Sequence, residues 1–112
     1  FCGPSSVFGV PAVLLGADGT IDCFPNMWTR GGLDLYFAPK AGDTARAAEL
    51  QAMGRRLTDL CTSNGCTLYP ATKAAMDLMG LPGGGTPRRP LRRLSGAPLA
   101  ALTTGLTTLG LL

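Results

Sequence analysis

Leu15-Gly16-Ala17-Asp18-Gly19-Thr20-Ile21-Asp22-Cys23-Phe24-Pro25-Asn26 is the stretch on which the fold turns. Gly16 to Gly19 is a turn by its residue types, because Gly and Asp accept the backbone conformations a tight reversal needs. Thr20 to Phe24 comes next with the length and β-branched start of a strand, and Pro25-Asn26 closes it. Upstream, Phe1-Cys2-Gly3 fits the end of another strand, and the apolar run Val7 to Leu15 fits a short helix bent at Pro11. Two short strands do not make a stable sheet alone, so both are expected to belong to a sheet whose other strands lie elsewhere.

Everything downstream reads as helix. From Met27 to Lys40 the residues Met27, Trp28, Leu33, Leu35, Tyr36 and Phe37 suggest one, although Gly31-Gly32 costs it roughly 1–2 kcal/mol against alanine. Gly42 breaks the chain and Asp43 can cap the next helix. Thr44 to Cys61 carries Leu50, Met53, Leu57 and Leu60 on one stripe, with Arg46, Glu49, Arg55 and Arg56 mostly off it. Thr62 to Leu68 is expected to be loop. Pro70 then sits in the first turn of a helix over 70–79, and Gly80 ends it. After an irregular connector through Pro82-Gly83-Gly84-Gly85, Ser95 is expected to cap a last helix over 95–109 that stops at Gly110.

Composition narrows the chemistry. At 112 residues, 46% hydrophobic and 15% charged, the chain is globular rather than disordered. It has no His, which excludes His-based acid/base catalysis and His metal ligation. Cys2, Cys23, Cys61 and Cys66 would allow three disulfide connectivities in a secreted chain, but reduced thiols in a cytoplasmic protein are the simpler reading. No CxxC or His partner accompanies Cys61 and Cys66, so no metal and no cofactor is expected.

The net charge of +3 is local. Arg88, Arg89, Arg92 and Arg93 crowd around Pro90, with no aromatic residue within ten positions to stack on a base. The cluster reads as a solvated loop, and nucleic acid is not an expected partner. Residues 94–112 carry no charge, which outlines a membrane anchor. Leu99, Leu102, Leu106 and Leu109 at helical spacing, with threonines between, instead describe a two-faced helix laid on a protein core, and no membrane partner is expected.

The motifs also agree in order with a known family. Leu15-Gly16-Ala17-Asp18-Gly19-Thr20-Ile21 with Asn26, Ala41-Gly42-Asp43 before a long helix, and Tyr69-Pro70-Ala71-Thr72-Lys73-Ala74-Ala75-Met76 all resemble the last part of the dihydrodipicolinate synthase/N-acetylneuraminate lyase family of aldolases. Leu78-Met79-Gly80-Leu81-Pro82-Gly83-Gly84, Pro90-Leu91 with Leu94-Ser95, and Leu109-Gly110-Leu111-Leu112 continue the resemblance across essentially the whole chain.

That resemblance implies an α/β chain that is mostly helical. Residues 1–42 would be the last two β/α units of a TIM (β/α)8 barrel, and 43–112 a C-terminal three-helix extension. Since such barrels need roughly 250 residues, about six of the eight units would lie outside this chain.

The family acts on pyruvate or another 2-oxo acid, which a lysine captures as a Schiff base that serves as an electron sink. The lysine, a tyrosine proton relay and a hydroxyl pair for the carboxylate belong to earlier family segments, expected before Phe1. Lys40, at a helix end, and Lys73, in the extension, read as solvated charges, so no catalytic residue is expected here.

Two substrate-binding positions carry over by resemblance. Gly3 matches the glycine ending strand seven, which leaves the pocket open, and Ile21 matches the strand-eight position whose backbone faces the 2-oxo acid. An ordinary turn at Gly3 and a barrel-interior packing residue at Ile21 are the structural alternatives. Pro4-Ser5-Ser6 comes after Gly3 where many relatives carry acidic residues, leaving the second substrate open. The resemblance implies a parent homo-oligomer in the cytoplasm. Two alternatives are kept beside it: an independent helical binding or oligomerisation module and, ranked behind that, a tail-anchored protein, which the two-faced pattern of the tail argues against.

Overall fold

Five α-helices account for most of the computed structural model, which describes all residues from Phe1 to Leu112. They are α1 (Ser5–Leu14), α2 (Thr29–Lys40), α3 (Thr44–Thr62), α4 (Leu68–Leu78) and α5 (Gly96–Thr108), with a 3-10 turn at Phe24–Asn26. All five fall where the apolar spacing places them. Several ends shift by one or two residues, and α4 opens early enough to take Leu68 out of the expected loop.

Their ends have identifiable causes. Asp43 accepts the Arg46 N–H at 3.0 Å and so caps α3 as expected. Gly80 and Gly110, at φ 67° and 72°, take the left-handed conformation that stops α4 and α5. Ser95 holds the N-cap position of α5 with extended backbone angles, but its hydroxyl makes no cap bond, contrary to the sequence reading.

The expected strands are reduced to one contact. Cys2 and Thr20 form an isolated parallel bridge in which Cys2 N–H donates to the Gly19 carbonyl at 3.1 Å and Ile21 N–H to the Cys2 carbonyl at 2.9 Å. Beyond it the predicted strand over 20–24 does not continue. The Asp22 carboxylate takes the Cys23 N–H at 2.7 Å, and Phe24–Asn26 winds into the 3-10 turn with Pro25 inside it. A two-residue ladder has too few hydrogen bonds to resist that local alternative.

Packing divides the chain into two compact units, Phe1–Thr58 and Asp59–Leu112. In the first, α1 packs on α2 around Val13, Phe24, Met27 and Leu35, with Ala47, Leu50 and Leu57 of α3 also buried. Gly31-Gly32, a weakness for a helix in isolation, is required by this packing. A methyl group at Gly31 would strike the Trp28 ring, and one at Gly32 would lie 2.8 Å from Pro25 Cγ. In the second unit α4 packs on α5, burying Ala71, Ala74, Ala75 and Met76 with Leu94, Leu102 and Leu106. Gly105 belongs to the same joint, since a methyl there would strike Leu60.

No helix is long and apolar enough to cross a membrane, and α5, within the uncharged stretch that outlines an anchor, spans 13 residues. The four cysteines form no disulfide.

Candidate functional site

The bridge between Cys2 and Thr20 places Gly3 beside Ile21. A Cβ at Gly3 would stand 2.9 Å from the Ile21 carbonyl oxygen. That oxygen is backbone, fixed by the bridge, and cannot yield as a flexible side chain would. The absence of a side chain at Gly3 therefore has a local cause: it lets the two segments meet.

Ile21 itself presents two surfaces. Its carbonyl lies against Gly3, while its side chain is 69% exposed and packs in no core. The side chain borders a cleft of about 480 Å³ that also takes in Asp18, Pro25, Leu33, Tyr36 and Phe37. Gly3 does not border this cleft, so only one of the two predicted positions reaches it.

Asp22, next to Ile21, organises the start of α1. Its Oδ2 accepts the Ser6 N–H at 2.6 Å and the Ser5 hydroxyl at 3.1 Å, and its Oδ1 accepts the Cys23 N–H at 2.7 Å. Pro4, at the N-cap position, supplies no side-chain cap, so a carboxylate from another segment does so. Burial pushes the Asp22 carboxyl up, but hydrogen bonds from Ser6, Cys23 and Ser5 outweigh it and hold the group below its ordinary value of 3.8. The helix N-terminus, a natural anion site, is thereby already neutralised by the chain.

Gln51 on α3 completes this frame. Its Oε1 accepts the Val10 N–H at 2.9 Å and its Nε2 donates to the Ser6 carbonyl at 2.7 Å, two groups that an α-helical ladder joins to each other. Thr58 adds a hydroxyl contact to Ser6 at 3.1 Å. Ser5, Ser6 and Gln51 are buried polar residues, and no buried side-chain nitrogen or oxygen is left without a hydrogen-bond partner.

Neither lysine has the setting of a Schiff-base nucleophile, but neither is simply solvated. The Lys40 ammonium donates to the Tyr36 hydroxyl at 2.9 Å and lies 4.9 Å from the ring centroid, and the Tyr36 contact raises its pKa. A Schiff-base lysine needs the opposite shift. Lys73 donates to the Gly83 and Gly84 carbonyls, both at 3.0 Å, which fastens the connector to α4. Burial pushes the Cys66 thiol up, away from thiolate reactivity.

Sequence reasoning passed over Asp22 and Gln51, and noted Ser5 and Ser6 only as a departure from relatives. Two serines after a Pro at a helix start signal a terminus needing a cap, but the cap comes from 16 positions away and the amide from 45. Local spacing cannot reveal partners at such separations.

The sequence of residues 1–108 matches the model of the dihydrodipicolinate synthetase family. Over 88 residues the chain is 38% identical to the N-acetylneuraminate lyase of Rhizobium meliloti (strain 1021), a match covering 79% of this chain and 28% of that protein. The fold superposes on the crystal structure of a dihydrodipicolinate synthase with a TM-score of 0.82 at 25% identity, over 100% of this chain and 38% of the other. The chain thus spans between about a quarter and two fifths of the length of these relatives.

Proposed function

This chain belongs to the dihydrodipicolinate synthetase family, and from that premise we propose that it is the C-terminal portion of a lyase that works on pyruvate or a related 2-oxo acid. In this reading residues 1–42 are the last two β/α units of the barrel and 43–112 the helical extension. The substrate carbonyl condenses with a lysine amine outside these residues, losing water to give a protonated imine. The imine accepts the electron pair of the bond that is broken, or supports the carbanion that forms a new one.

The contact between Gly3 and the Ile21 carbonyl carries the reading. The two family positions for substrate sit side by side although 17 residues lie between them in the chain. In this reading the absence of a side chain at Gly3 lets the Ile21 backbone approach, and of the two only Ile21 borders the neighbouring cleft. Lys40 at the end of α2 donates to Tyr36 and Lys73 in α4 donates to the connector carbonyls, which supports a nucleophile elsewhere. The parent enzyme is read as a homo-oligomer of the cytoplasm, where four thiols stay reduced.

Borohydride trapping tests this. Incubated alone with pyruvate and borohydride, the 112-residue chain is expected to gain no covalent adduct by intact mass. Mixed with the Rhizobium meliloti lyase truncated just before the matched region, it is expected to restore trapping on a lysine of that piece. An adduct on Lys40 or Lys73 overturns the reading, as does failure of the mixture under conditions where the full-length lyase is trapped.

A second reading rests on the apolar residues left exposed in the first unit, among them Phe1, Ile21, Leu33 and Phe37. A face of this kind marks an interface. The chain would then be a helical module that docks or self-associates, and monodisperse, cooperative unfolding of the isolated chain would favour it.

A further inference from the structure

The basic cluster has no part in the catalytic reading, and the structure adds something to it that the sequence did not show. All of the charge imbalance lies in the second unit. Residues 1–58 hold five basic and five acidic side chains, whereas residues 59–112 hold five basic and two acidic. Four of those five basic residues lie between 88 and 93.

The segment carrying them is fastened at both ends. On its N-terminal side Lys73 holds the Gly83 and Gly84 carbonyls, and Asp77 accepts the Gly85 N–H at 2.7 Å. Gly84 lies so close to α4 that a methyl there would strike Asp77. On the C-terminal side Arg93 pairs with Asp77 at 3.3 Å, and the side chain of Leu94 is buried. Pro87 is buried at the near edge of the tip. Between these anchors the Leu91 N–H closes a turn on the Arg88 carbonyl at 3.1 Å, and Arg88, Arg89 and Arg92 stand exposed. Asp77 is engaged by Arg93 and Gly85, and the other acidic side chain of this unit, Asp59, lies on α3, far from the tip in sequence.

We propose that the tip formed by Arg88, Arg89, Leu91 and Arg92 is a docking surface for an acidic protein segment that carries apolar side chains among its carboxylates. The backbone that presents the three guanidinium groups is held at both ends and has little freedom left to lose, so ordering on binding is confined to the side chains, whose planar forks match carboxylates. Leu91, exposed among them, distinguishes the partner. A phosphate chain offers nothing apolar to cover it, and no aromatic residue lies within ten positions of the cluster to stack on a nucleobase. The tip lacks the amphipathic helix that an interfacial membrane anchor uses.

The test uses the full chain and defined probes: a soluble peptide of Glu-Glu-Leu repeats, an all-Glu peptide of equal charge, inorganic polyphosphate, a DNA duplex, and phosphatidylserine vesicles. Wild-type chain is expected to bind the Leu-containing peptide best, and to bind it less as salt rises from about 0.05 to about 0.3 M. The Arg88→Gln/Arg89→Gln/Arg92→Gln variant is expected to lose about tenfold in affinity. Lysine at the same three positions should keep binding within about threefold, since the charge remains and only the planar fork is lost. Leu91→Ser should abolish the preference for the Leu-containing peptide. Circular dichroism checks that each variant keeps the wild-type helix content, which these exposed positions are expected to allow. Unchanged peptide binding in the Gln variant overturns the proposal. So does equal or tighter binding of polyphosphate, duplex or vesicles at matched charge.

Discussion

The two units of the chain reach stability by different means. In Asp59–Leu112 small residues on α4 and Gly105 on α5 let leucines close on one another, and Leu102 and Leu106 are fully buried. In Phe1–Thr58 the join depends on polar groups: Asp22 caps a helix it does not belong to, and Gln51 satisfies backbone groups of α1. The first unit also leaves far more apolar surface uncovered, with Phe1 at 92% and Leu15 at 89% exposure. The second carries the unbalanced positive charge, exposed on the arginine turn. An apolar interlock is non-directional and tolerates a self-contained unit. A polar frame fixes orientation, and it lies beside the bridge where Gly3 meets the Ile21 carbonyl.

The sharpest way to break this contrast is a cavity in the interlock. Leu102→Ala or Leu106→Ala should lower stability by about 2–5 kcal/mol in urea unfolding, because neither site has exposed side chain to lose cheaply. A loss below about 1 kcal/mol would show that the second unit is loosely packed after all.

Next comes Gly3→Val, which forces a side chain onto the Ile21 carbonyl. About 1–3 kcal/mol of destabilisation is expected, and the bridging amide protons of Cys2 and Ile21 should lose hydrogen-exchange protection. Retained protection would separate the glycine from the register of the bridge.

Asp22→Asn should cost about 1–2 kcal/mol near neutral pH, as the loss of an anionic cap with three short hydrogen bonds. The folded-state pKa of Asp22 is lowered, so its contribution is fully present above the ordinary value of 3.8 and is lost as pH falls through the folded value. The stability gap between wild type and Asp22→Asn should therefore stay constant above about pH 5 and narrow below about pH 4. A gap that widened in acid would reverse the assignment of sign.

The smallest effect is expected on the exposed face. Leu33→Ser with Phe37→Ser should change stability by no more than about 0.5 kcal/mol each while lowering self-association in sedimentation experiments. A large destabilisation would mean that these residues belong to the core of the first unit.

These contrasts bear on what could be read from the chain alone. All five helices were legible, because Leu50, Leu57, Leu102 and Leu106 recur at helical spacing and Asp43, Gly80 and Gly110 mark ends. The strands were not, because a strand is defined by its neighbours, and only one bridge between Cys2 and Thr20 is present to hold them. Gly31-Gly32 looked like a defect and is a packing requirement under Trp28 and Pro25. At the candidate site, the motif order pointed to Gly3 and Ile21, but nothing in their local sequence pointed to Asp22 or Gln51.

What the sequence determined by itself is the set of local choices: where periodicity favours helix, where glycine and proline interrupt it, which family's order of motifs the chain carries, and the absence of histidine chemistry. Those depend on residues within a turn or two of one another. Tertiary structure alone decided that the carboxylate of Asp22 neutralises α1, that Gln51 joins backbone groups of α1, and that the arginine turn is pinned by Lys73 and Asp77. Each of these joins groups from separate positions in the chain, and a hydrogen bond forms only where the fold brings its donor and acceptor to within about 3 Å.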